Sequence, residues 1–179
     1  MSRGIFVVAE LTGQVREEVA AVQQWADPKL ASGSTPHITL VGSSGVGPIA
    51  PDTPVPRIQE LVAPIAASTP PITVHFGAPM RFMQTNIIVL PIDPHGPLRT
   101  LHERIATSGL RFARPRFAYS PHCTLSFYQT QTPELQRRLL GVRVDAPVVI
   151  DRLQFYYSLD PQPARKILEL ALGARAGVA

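Results

Sequence analysis

Two short stretches, about half the chain apart, are nearly the same: Thr35-Pro36-His37-Ile38-Thr39-Leu40 and Ser120-Pro121-His122-Cys123-Thr124-Leu125. From average residue usage, one Pro-His-x-Thr-Leu string arises by chance in on the order of one chain in a thousand of this size. Two of them point to an internal repeat, and therefore to two similar halves that each contribute one short strand.

Strand geometry gives the repeat a chemical reading. Residues i and i+2 share a face, so His37 stands with Thr39 and His122 with Thr124, while Ile38, Leu40, Cys123 and Leu125 turn to the other side. The proline ahead of each histidine has no amide hydrogen and belongs at a strand's start, which sets both histidines near strand ends. If the motifs face one another, two imidazoles and two hydroxyls surround one small volume. One neutral histidine there takes a proton from the attacking oxygen and the other, protonated, gives one to the leaving oxygen. The threonines donate hydrogen bonds to the non-bridging oxygens as charge gathers on them. No metal or other cofactor is required, and two histidines without a third histidine or a placed carboxylate leave a zinc shell short.

The chain has 179 residues, 45% of them hydrophobic and 17% charged, enough for a buried core in a single unit over 1–179, either one ordinary domain or two tightly packed lobes that share a core. The formal net charge is +4, and of the 17 basic residues only Lys29 and Lys166 are lysines. That modest excess suits a small or single-stranded anion better than long duplex DNA, which calls for a denser basic stripe. The lone Cys123 excludes an internal disulfide framework and fits a cytoplasmic setting. The opening apolar run soon meets Glu10, Arg16, Glu17 and Glu18, so it does not read as a signal peptide, and neither a membrane nor an obligate protein partner is implied.

The spacing predicts a strand over 5–11, a helix over 13–25, a loop over 28–36, a strand over 37–41 and a second loop over 42–56. A short helix around Ile58 to Ile65 is interrupted by Pro64. Strands over 72–76 and 85–92 are joined by a hairpin or crossover over 77–84. The second half predicts a helix over 98–108 stopped by Gly109, a strand over 123–128, a helix over 133–140 closed by Gly141, strands over 148–159 and 166–172, and a frayed tail after Gly173. Few of these follow a strand, helix, parallel strand rhythm, so the fold class is α+β with mainly antiparallel sheets.

With the motifs PHITL and PHCTL and the opening IFVVAEL-TGQVREEVAAVQQW, the sequence resembles the two-histidine phosphoesterase superfamily. That family includes bacterial 2'-5' RNA ligase-like proteins and 2',3'-cyclic nucleotide phosphodiesterases. The resemblance covers nearly the whole chain. It implies a bilobal fold, two antiparallel sheets related by a pseudo-twofold around a cleft with helices outside. It implies His37 and His122 as acid and base, Thr39 and Thr124 as phosphate binders, and a nucleotide or RNA phosphodiester as substrate. Ser126-Phe127 stands where ligase-like members commonly carry an arginine. Arg81, the RFARPRF segment with Arg114 and Arg116, and the aromatics Phe127 and Tyr128 are the candidate substrate contacts. The alternative is a nucleotide- or RNA-binding protein that uses the same cleft without turnover; tolerance of His-to-Gln replacement separates it from an enzyme.

Overall fold

Antiparallel pairing between short apolar strands organises this chain, and a computed structural model describes it over residues 3–42, 44–159 and 164–173. Strand β1 (Gly4–Glu10) leads into helix α1 (Gly13–Ala26), a short helix α2 (Pro28–Gly33) and the first motif strand β2 (His37–Val41). Helix α3 (Val55–Ala67), strand β3 (Ile72–Val74) and the two-residue strand β4 (Met80–Arg81) follow. The second half runs through β5 (Ile88–Pro91), α4 (Pro97–Ala106), the second motif strand β6 (His122–Ser126) and α5 (Pro133–Leu140). It closes with β7 (Val148–Ile150), β8 (Arg152–Ser158) and β9 (Arg165–Ala171).

Seven strands form one sheet in the order β4-β5-β6-β2-β1-β8-β9, and β3 pairs with β7 in a second, smaller sheet. The expected internal symmetry lies in the large sheet. Strand β1 pairs with β2 through Ala9↔Ile38 and Glu10↔His37, and β5 pairs with β6 through Leu90↔Cys123 and Pro91↔His122. Each pair carries an irregularity at the same place, between Val7 and Val8 in one and between Ile88 and Val89 in the other. The two halves meet where β2 and β6 pair antiparallel at Ile38↔Cys123, so the pseudo-twofold passes between the motif strands.

The period-2 alternation of these strands divides the sheet into two faces. Ile5, Val7, Ala9, Ile38, Leu40, Leu90, Cys123, Leu125, Leu153 and Phe155 turn to the helices and are at most 1% exposed. Full burial of such a side chain contributes about 1.5–3 kcal/mol, which is why register is strongly held here: a slip of one residue would turn the whole set to the wrong face. The helices cross over. Helix α1 of the first half packs on β6 of the second, and α4 of the second packs on β2 of the first. The other face, uncovered by α1 and α4, carries the motif histidines and threonines.

Several expected boundaries move. The segment 28–36, read as a loop, contains α2, because the Asp27 carboxylate caps it by accepting from the Leu30 amide at 3.1 Å with Pro28 in its first turn. Helix α3 starts earlier, at Val55, and continues through Pro64 to Ala67. Of the hairpin and the crossover that 77–84 left open between 72–76 and 85–92, the structure has the crossover. Strand β3 leaves for β7, while β5 pairs instead with β4 across a turn in which Gln84 takes φ 62°. The stretch 148–159 divides at Asp151 into β7 and β8, which belong to different sheets. The second motif strand ends at Ser126, not Tyr128, since the next two amides bond to a side chain and not to a neighbouring strand. The tail after Gly173 lies outside the described residues.

Candidate active site

Both motifs enter the sheet in the same way. The carbonyl of Pro36 accepts from the Leu11 amide at 2.8 Å, and that of Pro121 accepts from the Ile92 amide at 3.0 Å. One residue later each histidine turns its Nδ1 back onto the carbonyl two positions upstream, His37 onto Thr35 and His122 onto Ser120, both at 2.7 Å. A carbonyl only accepts, so Nδ1 carries the hydrogen in both rings. The Nε2 of each ring is then the nitrogen that accepts a proton when the ring is neutral and donates one when it is cationic.

The antiparallel pairing at Ile38 and Cys123 sets His37 beside Thr124 and Thr39 beside His122, all on the face away from the helices. Side chains so placed on neighbouring strands stand about 5 Å apart at Cβ. The four motif residues thus form a square with the histidines on one diagonal and the hydroxyls on the other. The intervening Ile38 and Cys123 are fully buried on the opposite face. Burial pushes the Cys123 thiol up to about 12, so it stays protonated and takes no part in nucleophilic chemistry.

Burial lowers the pKa of both histidines. For His37 the bond to Thr35 and the charge of Glu10 act against that lowering. For His122 the bond to Ser120 also opposes it, whereas the charge of His37 lowers it further. The two rings are close enough that a proton on one disfavours a proton on the other. The ring of Phe82 meets His122 edge to face, with centroids 5.0 Å apart at 87°.

The motif strands are tied from behind by buried polar side chains of the opposite half. Gln23 of α1 donates to the Thr124 carbonyl at 2.7 Å. His102 of α4 contacts the Leu40 carbonyl through Nδ1 at 2.7 Å and stacks on Tyr119, with centroids 3.9 Å apart. The Asp27 carboxylate accepts from the amides of Phe127 and Tyr128, both at 2.7 Å. Sequence reasoning missed Gln23, Asp27 and Glu10. Gln23 and Asp27 lie one and two turns beyond Val19 on α1's inward side, the one signal available, but their partners are a hundred residues away.

The proposed substrate contacts are dispersed. Phe127 and Tyr128 sit immediately after β6, 46% and 39% exposed, packed edge to face at 5.0 Å with Lys29 over the Tyr128 ring at 4.3 Å. Arg114 and Arg116 are exposed in the connection that leads into β6, where Ala113 and Phe117 bond to the segment following β2 through Gly47 and Gly45. Arg81 is engaged elsewhere, donating to the Thr85 carbonyl at 2.6 Å and to Gln136 Oε1 at 3.0 Å.

A family model described as the 2'-5' RNA ligase superfamily matches residues 12–162. A Geobacillus kaustophilus protein (strain HTA426) named as a phosphoesterase, GK0864, is 30% identical over 128 residues, 70% of this chain and 71% of that one. Among solved structures, TT0787 of Thermus thermophilus superposes with a TM-score of 0.70 at 16% identity, covering 96% of this chain and 98% of that one. E. coli LigT complexed with 3'-AMP superposes with a TM-score of 0.60 at 13% identity, covering 97% of this chain and all of its own. Among the described residues no helix is long and apolar enough to cross a membrane.

Proposed function

Because this chain belongs to the 2'-5' RNA ligase superfamily of two-histidine phosphoesterases, we propose that it acts, without a metal, on a cyclic or 2'-linked nucleotide or RNA phosphodiester. In this reading residues 1–179 make one two-lobed unit, each lobe giving one His-x-Thr motif. The observation that carries it is the matched pair of Nδ1 anchors, which leaves the Nε2 of both histidines of the square, on one face, without a partner among the described residues.

With a 2',3'-cyclic phosphate in the cleft, one neutral imidazole accepts the proton of a water as its oxygen bonds to phosphorus. The other, cationic, imidazole gives its proton to the ribose oxygen as that P–O bond breaks. The products are a ribose hydroxyl and a phosphomonoester, and the histidines have exchanged protonation states. A ribose hydroxyl in place of water makes the same transfers a ligation. Thr39 and Thr124 donate to the non-bridging oxygens.

A nucleotide-sized substrate is supported by the fold's likeness to LigT, crystallised with 3'-AMP and with ATP. We assign the flanking contacts to Arg114, Arg116, Phe127 and Tyr128; Arg81, already bonded, is the least suited of the candidates.

The test is an assay with chelator present on 2',3'-cyclic mononucleotides, cyclic dinucleotides and 2'-5'-linked oligonucleotides, using the protein and its His37→Ala and His122→Ala variants. Turnover that survives chelator and falls by about 10²–10⁴ in each variant supports the reading. Undiminished turnover in either variant, or tight nucleotide binding with no turnover that survives His-to-Gln replacement, would falsify it in favour of a binding protein.

A further inference from the structure

The pseudo-twofold that makes the histidines alike is broken beside one of them. In the β1–β2 pair the residue facing His37 is Glu10, and at the matching place in the β5–β6 pair the residue facing His122 is Pro91. His37 therefore shares its face of the sheet with a carboxylate, while His122 has a proline opposite it and the Phe82 ring packed against it.

The carboxylate is held by its neighbours. Its Oε1 accepts from the Tyr156 hydroxyl, and its Oε2 lies 3.5 Å from Lys166 Nζ. The Glu10 amide donates to Gln154 Oε1 at 3.0 Å. Burial and the charge of Glu10 both raise the Tyr156 pKa, so the phenol remains a donor. Lys166 is shared with Glu169 at 3.4 Å, which reduces its pull on Glu10, and Glu169 in turn pairs with Arg152 at 3.0 Å. The charged groups that act on His37 are thus Glu10 from β1 and His122 from β6, with Tyr156 from β8 and Lys166 from β9 on the Glu10 carboxylate.

We propose that Glu10, seated by Tyr156 and Gln154, is the positioning residue that keeps the shared proton on His37, making His37 the donor and His122 the acceptor in the attack step. The inference rests on the phosphoesterase reading for its chemistry, but the coupling between Glu10 and His37 is a property of the free protein. Two close imidazoles favour a single proton between them, and a fixed anion beside one ring decides which ring holds it. Neither Glu10 nor Tyr156 need touch the substrate for this.

The decisive measurement is the titration of the ring Cε1–H resonances of His37 and His122 by NMR, in the free protein and in Glu10→Gln and Tyr156→Phe. Assignments come from His37→Ala and His122→Ala, and circular dichroism checks each variant's fold. His37 should titrate at the higher pH in the wild type. Glu10→Gln should move it down by about one pH unit, leaving His122 unmoved or slightly raised, with Tyr156→Phe producing a smaller move in the same direction. In turnover, the alkaline limb of kcat/KM should move acidward with Glu10→Gln while the acid limb does not. A His122 that titrates above His37, or a His37 indifferent to Glu10→Gln, overturns the proposal. Absence of turnover on every phosphodiester would overturn the functional reading alone, because the titrations are read without substrate.

Discussion

Gln23 and Thr124 are joined across the two halves: the glutamine Nε2 on α1 donates to the Thr124 carbonyl at 2.7 Å, from a side chain only 3% exposed. The bond holds the second motif strand from the first half's helix. His102 makes the reciprocal tie to Leu40 on the first motif strand. Replacing Gln23 by leucine leaves that carbonyl without its donor, and a buried orphan costs about 1–3 kcal/mol. Urea denaturation of Gln23→Leu should show that loss as a lower midpoint at unchanged slope; an unchanged midpoint would mean the bond contributes nothing net.

Asp27 does two jobs with one carboxylate, capping α2 at Leu30 and receiving the amides of Phe127 and Tyr128 after β6. Burial works against its charge, yet the backbone N–H groups of Phe127, Tyr128, Leu30 and Gln129 hold its carboxyl below the usual aspartate range. A carboxylate with a lowered folded pKa adds stability that is full above the unfolded value of 3.8 and disappears as pH falls through the folded one. Asp27→Ala should therefore destabilise by about 3 kcal/mol at pH 7, since several donors lose their acceptor at once. The difference from wild type should shrink in acid, as thermal melts at pH 7 and pH 2.5 will show.

Buried His102 and the two half-buried motif histidines act at higher pH. Burial lowers the folded pKa of His37, His102 and His122 below the ordinary imidazole value of 6.5. The unfolded chain then binds more protons than the folded one as pH falls below that value. Stability should decline from about pH 7 downward and level off once the folded-state values are passed. Melting temperature measured from pH 8 to 5 in a constant-ionic-strength buffer checks the sign, and a rise on acidification would contradict it. For the same reason the bell-shaped rate profile should centre on the acid side of an ordinary imidazole.

Thr39 and Thr124 are predicted to matter in the transition state more than in binding. Valine keeps their shape and removes the donor, so each substitution should lower kcat by about 100-fold with little change in KM or in melting temperature. An effect confined to KM would instead make the threonines ground-state binders.

Gly45 tests how closely the connection after β2 packs on α4. It takes φ +72°, and a Cβ there would lie 2.1 Å from His102 Nε2. Gly45→Ala is expected to cost more than about 1 kcal/mol from backbone strain alone, and to move the His102 ring off the Leu40 carbonyl. A wild-type melting temperature in this variant would show that the connection relaxes freely.

Much of this protein is determined by its sequence alone, for local reasons. The two Pro-His-x-Thr-Leu strings set strand starts, faces and the pairing of each histidine with a threonine, because alternation in a strand needs no knowledge of the partner. The α5 helix, read over 133–140 with Gly141 as its stop, is legible to the residue for similarly local reasons. What only tertiary structure decided depends on partners distant in sequence. The halves join through Ile38 and Cys123, β3 finds β7 instead of β5, and Asp27 reaches amides a hundred residues away. Glu10 belongs with these. In the sequence it ends an apolar strand, and only the antiparallel register that sets it against His37, with proline at the matching place beside His122, gives two identical motifs different surroundings.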